Sequence, residues 1–351
     1  MRFIFDFLRL IRFPNLIIIG LTQYAIRFGI IYPFLKQAEL DLFLSEGLFA
    51  LLVGATVLIA ASGYIINDYF DVKVDRVNRP DKIIVGKYIK RRVAMGAHIV
   101  INSIAITLGA YLAYKVDNWN LIFIQILSAG ALWYYSTKFK KQVIIGNVIV
   151  ALLAALVPLV SGLYEIILQY NFSDDTINML LFRLEEYTPF EQIEYLLFEV
   201  LKHIMYWVVG FSVFAFLATM VREIIKDIED YDGDKKYLSN TLAVVYGKNK
   251  AKVTAQSLII VMVLMIGYFQ YMQIEENPGG EDASLAKAQT RALITVMYLL
   301  FTVQIPLLFV VYKLKIASLK PEFHTLSVNV KLIMLTGITY IGLFYYLIMK
   351  L

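Results

Sequence analysis

Two groups of acidic residues hold the chemistry available to this 351-residue chain: Asn67-Asp68-x-x-Asp71-x-x-x-Asp75 and Asp227-x-x-Asp230-x-x-x-Asp234. Each lies where a long apolar stretch gives way to basic residues. Carboxylates at the edge of a membrane span are costly and seldom incidental. On a helix, spacings of three and four put Asp68, Asp71 and Asp75 on one face, and Asp227, Asp230 and Asp234 repeat the pattern. Such a face repels itself unless a cation sits on it. Hard oxygen donors of this kind suit one or two Mg2+ ions, which in turn suit a strongly anionic partner such as a diphosphate.

Apolar helices must position these groups. With 59% hydrophobic and 17% charged residues, the chain is excluded from the ordinary soluble domains and reads as an all-α, polytopic membrane protein. It has no cysteine, which removes disulfides, thiolate metal sites and thiol nucleophiles. Runs long enough to cross a bilayer fall at about 14–34, 46–66, 93–116, 121–137, 143–163, 201–221, 252–274, 292–312 and 326–349, nine in all, the fourth being short. Residues 1–12 do not read as a cleavable signal, because Asp6, Arg9 and Arg12 interrupt the run. Phe3, Phe7 and Leu10 instead share a face, which predicts a short interfacial helix leading into Pro14.

Charge sets an expected orientation. Basic residues crowd the second-to-third, fourth-to-fifth and sixth-to-seventh connections, whereas the alternate connections are acidic or neutral. The basic set belongs in the cytoplasm, with the N-terminus inside and the C-terminus outside. The net charge of +5 therefore reports topology rather than nucleic-acid binding. Both acidic motifs then fall on the cytoplasmic side, where they can meet across one bundle. The acidic stretch 164–200 reads as an external helical insertion, peripheral to chemistry, within a single domain over 1–351.

Asn67-Asp68-Tyr69-Phe70-Asp71-Val72-Lys73-Val74-Asp75, followed by Asn78-Arg79-Pro80 and Gly86-Lys87, resembles the first signature of the UbiA superfamily of intramembrane prenyltransferases. Arg222-Glu223-x-x-Lys226-Asp227-x-Glu229-Asp230, then Gly233-Asp234 and Thr241-Leu242, resembles the second. Tyr135-Ser136, Lys138, Lys140, Lys141 and Gly146-Asn147 resemble the loop after the fourth helix of that family. The resemblance implies a nine-helix bundle with a central cavity, a cytoplasmic cap and a side opening into lipid. It implies that Asn67, Asp68, Asp71, Asp75, Asp227, Asp230 and Asp234 hold Mg2+ on a prenyl diphosphate. Asp71 and Asp230 are then essential to turnover, Arg79, Lys138, Lys140, Lys141 and Asn147 contact the diphosphate, and Tyr135 shields an allylic cation. The motif spellings are most similar to the digeranylgeranylglyceryl phosphate synthases, which implies geranylgeranyl transfer to a hydroxyl of a lipid-like acceptor, geranylgeranylglycerol phosphate. No protein partner is implied. Asp81-Lys82-Ile83-Ile84-Val85 departs from the Arg-Pro-rich continuation of that pattern.

Other readings stand beside this one. Asn67 and Asp68 could simply cap a helix, and three lysines after the fourth span are what orientation alone requires. Tyr64, Tyr69 and Tyr134 are further candidates for shielding a cation by their ring faces. Asn147 could cap a helix or reach the metal site. Glu229 and Asp232 fall off the acidic face and read as solvated, and His98, His203 and His324 show no ligand spacing. Prenylation of an aromatic quinone precursor and cation-coupled transport are the rival functions. A phosphoalcohol transferase is disfavoured because its Asp-Gly-x-x-Ala-Arg signature is absent.

Overall fold

The computed structural model describes residues 2–173, 190–275 and 283–351. Among these the chain is helical, and the only strand-like feature is an isolated bridge between Val85 and Ile89. The helices are α1 (Arg2–Leu10), α2 (Phe13–Gln37), α3 (Glu46–Asn78), α4 (Arg91–Lys115), α5 (Ile122–Thr137), α6 (Ile145–Asn171) and α7 (Phe190–Glu229). They continue with α8 (Tyr231–Lys236), α9 (Leu242–Tyr246), α10 (Lys248–Glu275), α11 (Leu285–Ile316) and α12 (Lys320–Lys350).

Eight of the described helices are long and apolar enough to cross a membrane. The fourth expected span is α5, whose 16 residues rise only about 24 Å, short of a hydrocarbon core of roughly 30 Å. Nine expected spans thus become eight long helices and one short one. The two ends of the expected insertion are not separate pieces: residues 164–171 finish α6 and 190–200 begin α7. Its centre, residues 174–189, lies outside the described residues.

The described chain divides into two compact units, Met1–Phe139 with Ala155–Ser212 and Lys140–Ala154 with Val213–Leu351. In the first, α3 begins at Ser45, whose side chain accepts the Leu48 N–H, with Glu46 suiting the positive end of the helix dipole. The apolar run stops near Ile66, yet the helix runs on through Asn78, so the first acidic motif rides on a helical overhang. Leu10 of α1, Ile65 and Val72 of α3, and Ile84, Val85 and Ile89 of the following loop bury one another behind it. Each such side chain contributes roughly 1.5–3 kcal/mol when fully buried. The unusual Ile84-Val85 therefore has a packing role: it anchors the loop beneath the motif helix. On another face, a Cβ at Gly63 would stand 2.8 Å from Leu132, so glycine permits the close approach of α3 to α5.

The same unit buries an ion pair at the other end of α2. A π-helical turn over Arg27–Ile31 puts Arg27 inside, 2% exposed. Its guanidinium lies 3.7 Å from Glu165 of α6, donates to the Leu44 carbonyl and stacks 4.5 Å from the Phe49 ring. Glu165, itself 1% exposed, accepts the N–H groups of Phe43 (2.7 Å) and Leu44 (3.2 Å) and the Gln169 amide (3.1 Å). Glu165 and Gln169, at the start of the expected insertion, are thus buried within this unit.

In the second unit, α12 lies along α7. The Glu229 carboxylate meets His324 Nδ1 at 3.2 Å, and a Cβ at Gly337 would stand 3.2 Å from the Phe214 ring. The order of these two contacts makes the helices antiparallel.

Candidate active site

The first motif occupies the overhang of α3. Asn67, Asp68, Asp71 and Asp75 are all half-buried, whereas Phe70 and Lys73 between them, and Arg76 and Val77 just after, are exposed. The spacing of three and four thus produces one shared face. Arg12, held in the left-handed conformation (φ 52°) between α1 and α2, reaches Asp68 at 2.9 Å and covers the Tyr64 ring at 4.8 Å. Arg91 covers the Tyr69 ring at 4.3 Å. Each of these two rings thus has a guanidinium over one face. Tyr135 on α5 is half-buried, and Tyr134 is exposed. Arg79 ends α3, its N–H bonded to the Asp75 carbonyl at 2.8 Å. Lys138 ends α5 and is exposed.

In the second unit the acidic trio is not on one unbroken helix. Asp227 belongs to α7, Asp230 stands between α7 and α8 at φ −94°, ψ 10°, and Asp234 lies in α8. Helical bonding still crosses the break, since the Asp230 N–H bonds the Lys226 carbonyl (2.8 Å) and the Asp234 N–H bonds the Asp230 carbonyl (3.1 Å). Asn147, buried in the first turn of α6, donates its amide to Asp227 at 2.9 Å. Lys140 is half-buried and Lys141 exposed, and the Lys141 carbonyl accepts the Asn240 N–H at 2.9 Å, tying the 140s segment to the loop before Thr241.

Two residues read differently from the sequence. Glu229, expected in solvent, is buried, and its partner His324 had no assigned role. No local signal pairs residues on helices so far apart in sequence. Asp232 is exposed, as its position off the acidic face implies. His98 is buried, with Nδ1 3.0 Å from the Ser62 carbonyl and its ring 5.5 Å from that of Trp133, a satisfied core histidine.

The donors suit a hard divalent cation. All are carboxylate or amide oxygens, and the buried Oδ1 of Asn67, at the head of the first motif, has no hydrogen-bond partner among the described residues. Among the described residues no three His, Asp or Glu side chains come close enough to hold an ion by themselves.

Comparison with known proteins bears on this arrangement. Residues 35–275 match the model of the UbiA prenyltransferase family. A digeranylgeranylglyceryl phosphate synthase of Saccharolobus solfataricus is 30% identical over 261 residues, 74% of this chain and 75% of that one. The fold matches a solved structure described as digeranylgeranylglyceryl phosphate synthase in membranes, with TM-score 0.60, 20% identity and all of both chains covered. It also matches a UbiA homolog from Archaeoglobus fulgidus solved with GPP and Mg2+, with TM-score 0.54, 17% identity, and 96% of this chain and 99% of that one covered. Eight apolar spans, two acidic motifs in order and a family match across most of the chain lead to one conclusion: this chain belongs to the UbiA prenyltransferase family and is an integral membrane enzyme of prenyl transfer.

Proposed function

We propose that this enzyme moves a geranylgeranyl group from its diphosphate to a hydroxyl of geranylgeranylglycerol phosphate, in a Mg2+-dependent reaction on the cytoplasmic side of the cell membrane. The observation that carries the reading is the half-buried acidic face of α3, raised beyond the apolar run on a packed overhang. The Saccharolobus solfataricus relative and others like it bear the name of that activity, and the crowding of basic residues in alternate connections supports the orientation.

In this reading Asn67, Asp68, Asp71 and Asp75 of the first motif and Asp227, Asp230 and Asp234 of the second serve one metal-bound diphosphate. Bound Mg2+ would neutralise the leaving diphosphate. Arg79, Lys138, Lys140 and Lys141 donate to its oxygens, and Tyr135 offers a ring face to the allylic carbon as charge develops there. The acceptor hydroxyl attacks that carbon, the C–O bond to diphosphate breaks, and the hydroxyl proton passes to a carboxylate acting as general base. Arg12 holds Asp68, and Asn147 holds Asp227.

Asn147→Leu removes a donor from the Asp227 carboxylate and leaves its bulk. The expected result is a Mg2+ requirement raised about 10- to 100-fold, the usual effect of losing a group that orients a metal ligand. A Mg2+ titration of initial rate reads it, and an unchanged midpoint would remove Asn147 from the site.

Purified protein given labelled geranylgeranyl diphosphate, Mg2+ and a choice of acceptors tests the function itself. The expected product is the ether of geranylgeranylglycerol phosphate. Alkylation only of an aromatic quinone precursor would replace the acceptor assigned above, and liposome uptake without diphosphate release would overturn the reading.

A further inference from the structure

The first helix is covered by its own unit at one end only. Leu10 is buried in the small core with Ile84 and Ile89 of the following loop, whereas Phe3, Ile4 and Phe5 at the start of α1 are each more than half exposed. Bare apolar side chains grouped together and bordered by charge mark an interaction surface.

The border here is basic. Lys87, Lys90, Arg91 and Arg92, where the chain passes from α3 into α4, are exposed, and so is Arg2 on α1 itself. Side chains join the two segments: the Arg2 guanidinium lies 5.7 Å from the centre of the Tyr88 ring, and Lys87 Nζ lies 5.2 Å from the same ring. None of these five cations has a carboxylate partner among the described residues. Other cations of the unit do: Arg9 lies 3.9 Å from Asp6, Arg12 2.9 Å from Asp68 and Arg27 3.7 Å from Glu165. Orientation in the membrane accounts for basic residues at this end of the helices, but not for gathering them beside bare phenylalanines without a counter-charge.

We propose that α1 and the α3–α4 connection form a docking surface for anionic phospholipid headgroups. Phe3, Ile4 and Phe5 enter the acyl boundary, while Arg2, Lys87, Lys90, Arg91 and Arg92 meet the headgroup phosphates. Interfacial helices bind through apolar burial and attraction to anionic lipid together, and four to eight basic residues beside a span are the usual mark of such lipid. A neutral leaflet would cover the phenylalanines equally well, so the five cations are what select an anionic one. Two residues past α1, Arg12 bonds Asp68, which ties the lipid-held helix to the first acidic motif.

Because the chain has no cysteine, Ile4→Cys gives a single site on α1 for a fluorophore. The labelled full-length protein is placed in vesicles containing phosphatidylglycerol and phosphatidylcholine at equal mole fraction, with one or the other spin-labelled near the headgroup as quencher. Phosphatidylglycerol is expected to be enriched around the label about fivefold or more over phosphatidylcholine, the effect of even one cation of the rim. The preference should fall towards equality in the triple variant Lys87→Gln, Lys90→Gln, Arg92→Gln. It should also fall in about 1 M salt, where the screening length is about 3 Å. The charge-keeping triple variant Lys87→Arg, Lys90→Arg, Arg92→Lys should retain it. Equal quenching by the two lipids, or a preference that survives neutralisation of the rim, would overturn the proposal. A label that neither lipid reaches would overturn it too, since protein would then cover the face. Should the neutral variant fail to fold, the salt series on the labelled parent decides: a preference lost in high salt supports the surface, and one kept refutes it.

Discussion

Asp71→Ala and Asp230→Ala are each expected to lower turnover about a hundred- to a thousandfold or more, the range lost when one group stabilising developing charge is removed, while both proteins still insert and fold. The fold should tolerate the changes for reasons visible in each environment. Asp71 is half-buried on the overhang of α3, past the apolar run, and alanine is a better helix former than aspartate. Asp230 stands at the junction of α7 and α8, where the chain is held by backbone bonds on either side. Neither replacement opens a cavity in an apolar core. Initial rates measured beside a thermal unfolding midpoint in detergent separate the two effects. Wild-type activity in either variant would exclude that residue from the metal site, and a collapsed midpoint would assign it to structure instead.

The largest stability effect is expected at Arg27 and Glu165. Both side chains are at most 2% exposed, so each charge depends on the other and on the surrounding carbonyl, amide and N–H groups. Arg27→Leu strands the buried Glu165 carboxylate and should cost about 3–5 kcal/mol, whereas Glu165→Leu leaves the guanidinium to the exposed Glu46 carboxylate 3.9 Å away and should cost somewhat less. Replacing both together should cost clearly less than the sum of the two, because no buried charge is left alone. Unfolding midpoints of the four proteins complete the cycle, and additive losses would show that the pair does not act as one unit. The pair lies far along α2 from Arg12 and the first motif, so the double variant should keep its turnover chemistry.

Long helices, their order and the acidic motifs were legible in the sequence because apolar period and charge spacing are local properties. Asp68, Asp71 and Asp75 could be placed on one face from spacing alone, and α3 carries them that way. The second motif was less legible: spacing cannot reveal that the chain turns at Asp230, which depends on how α8 leaves α7. Buried pairs between distant segments were not readable. Glu229 looked solvated because its own helix position says nothing of His324, 95 residues away. Tyr134 and Tyr135 looked alike to Tyr64 and Tyr69 as rings near the motifs, and only tertiary packing shows Arg12 and Arg91 lying over the latter two. Ile84-Val85, a departure from the family pattern, is explained by the small core it fills with Leu10 and Val72.

The central claim is that both acidic motifs serve one metal-bound diphosphate, and calorimetric binding of an unreactive geranylgeranyl diphosphate analogue measures it without turnover. Binding should require Mg2+ and should fall about a hundredfold or more in Asp71→Ala and Asp230→Ala alike. Equal affinity with and without Mg2+, or loss in only one of the two variants, would contradict it.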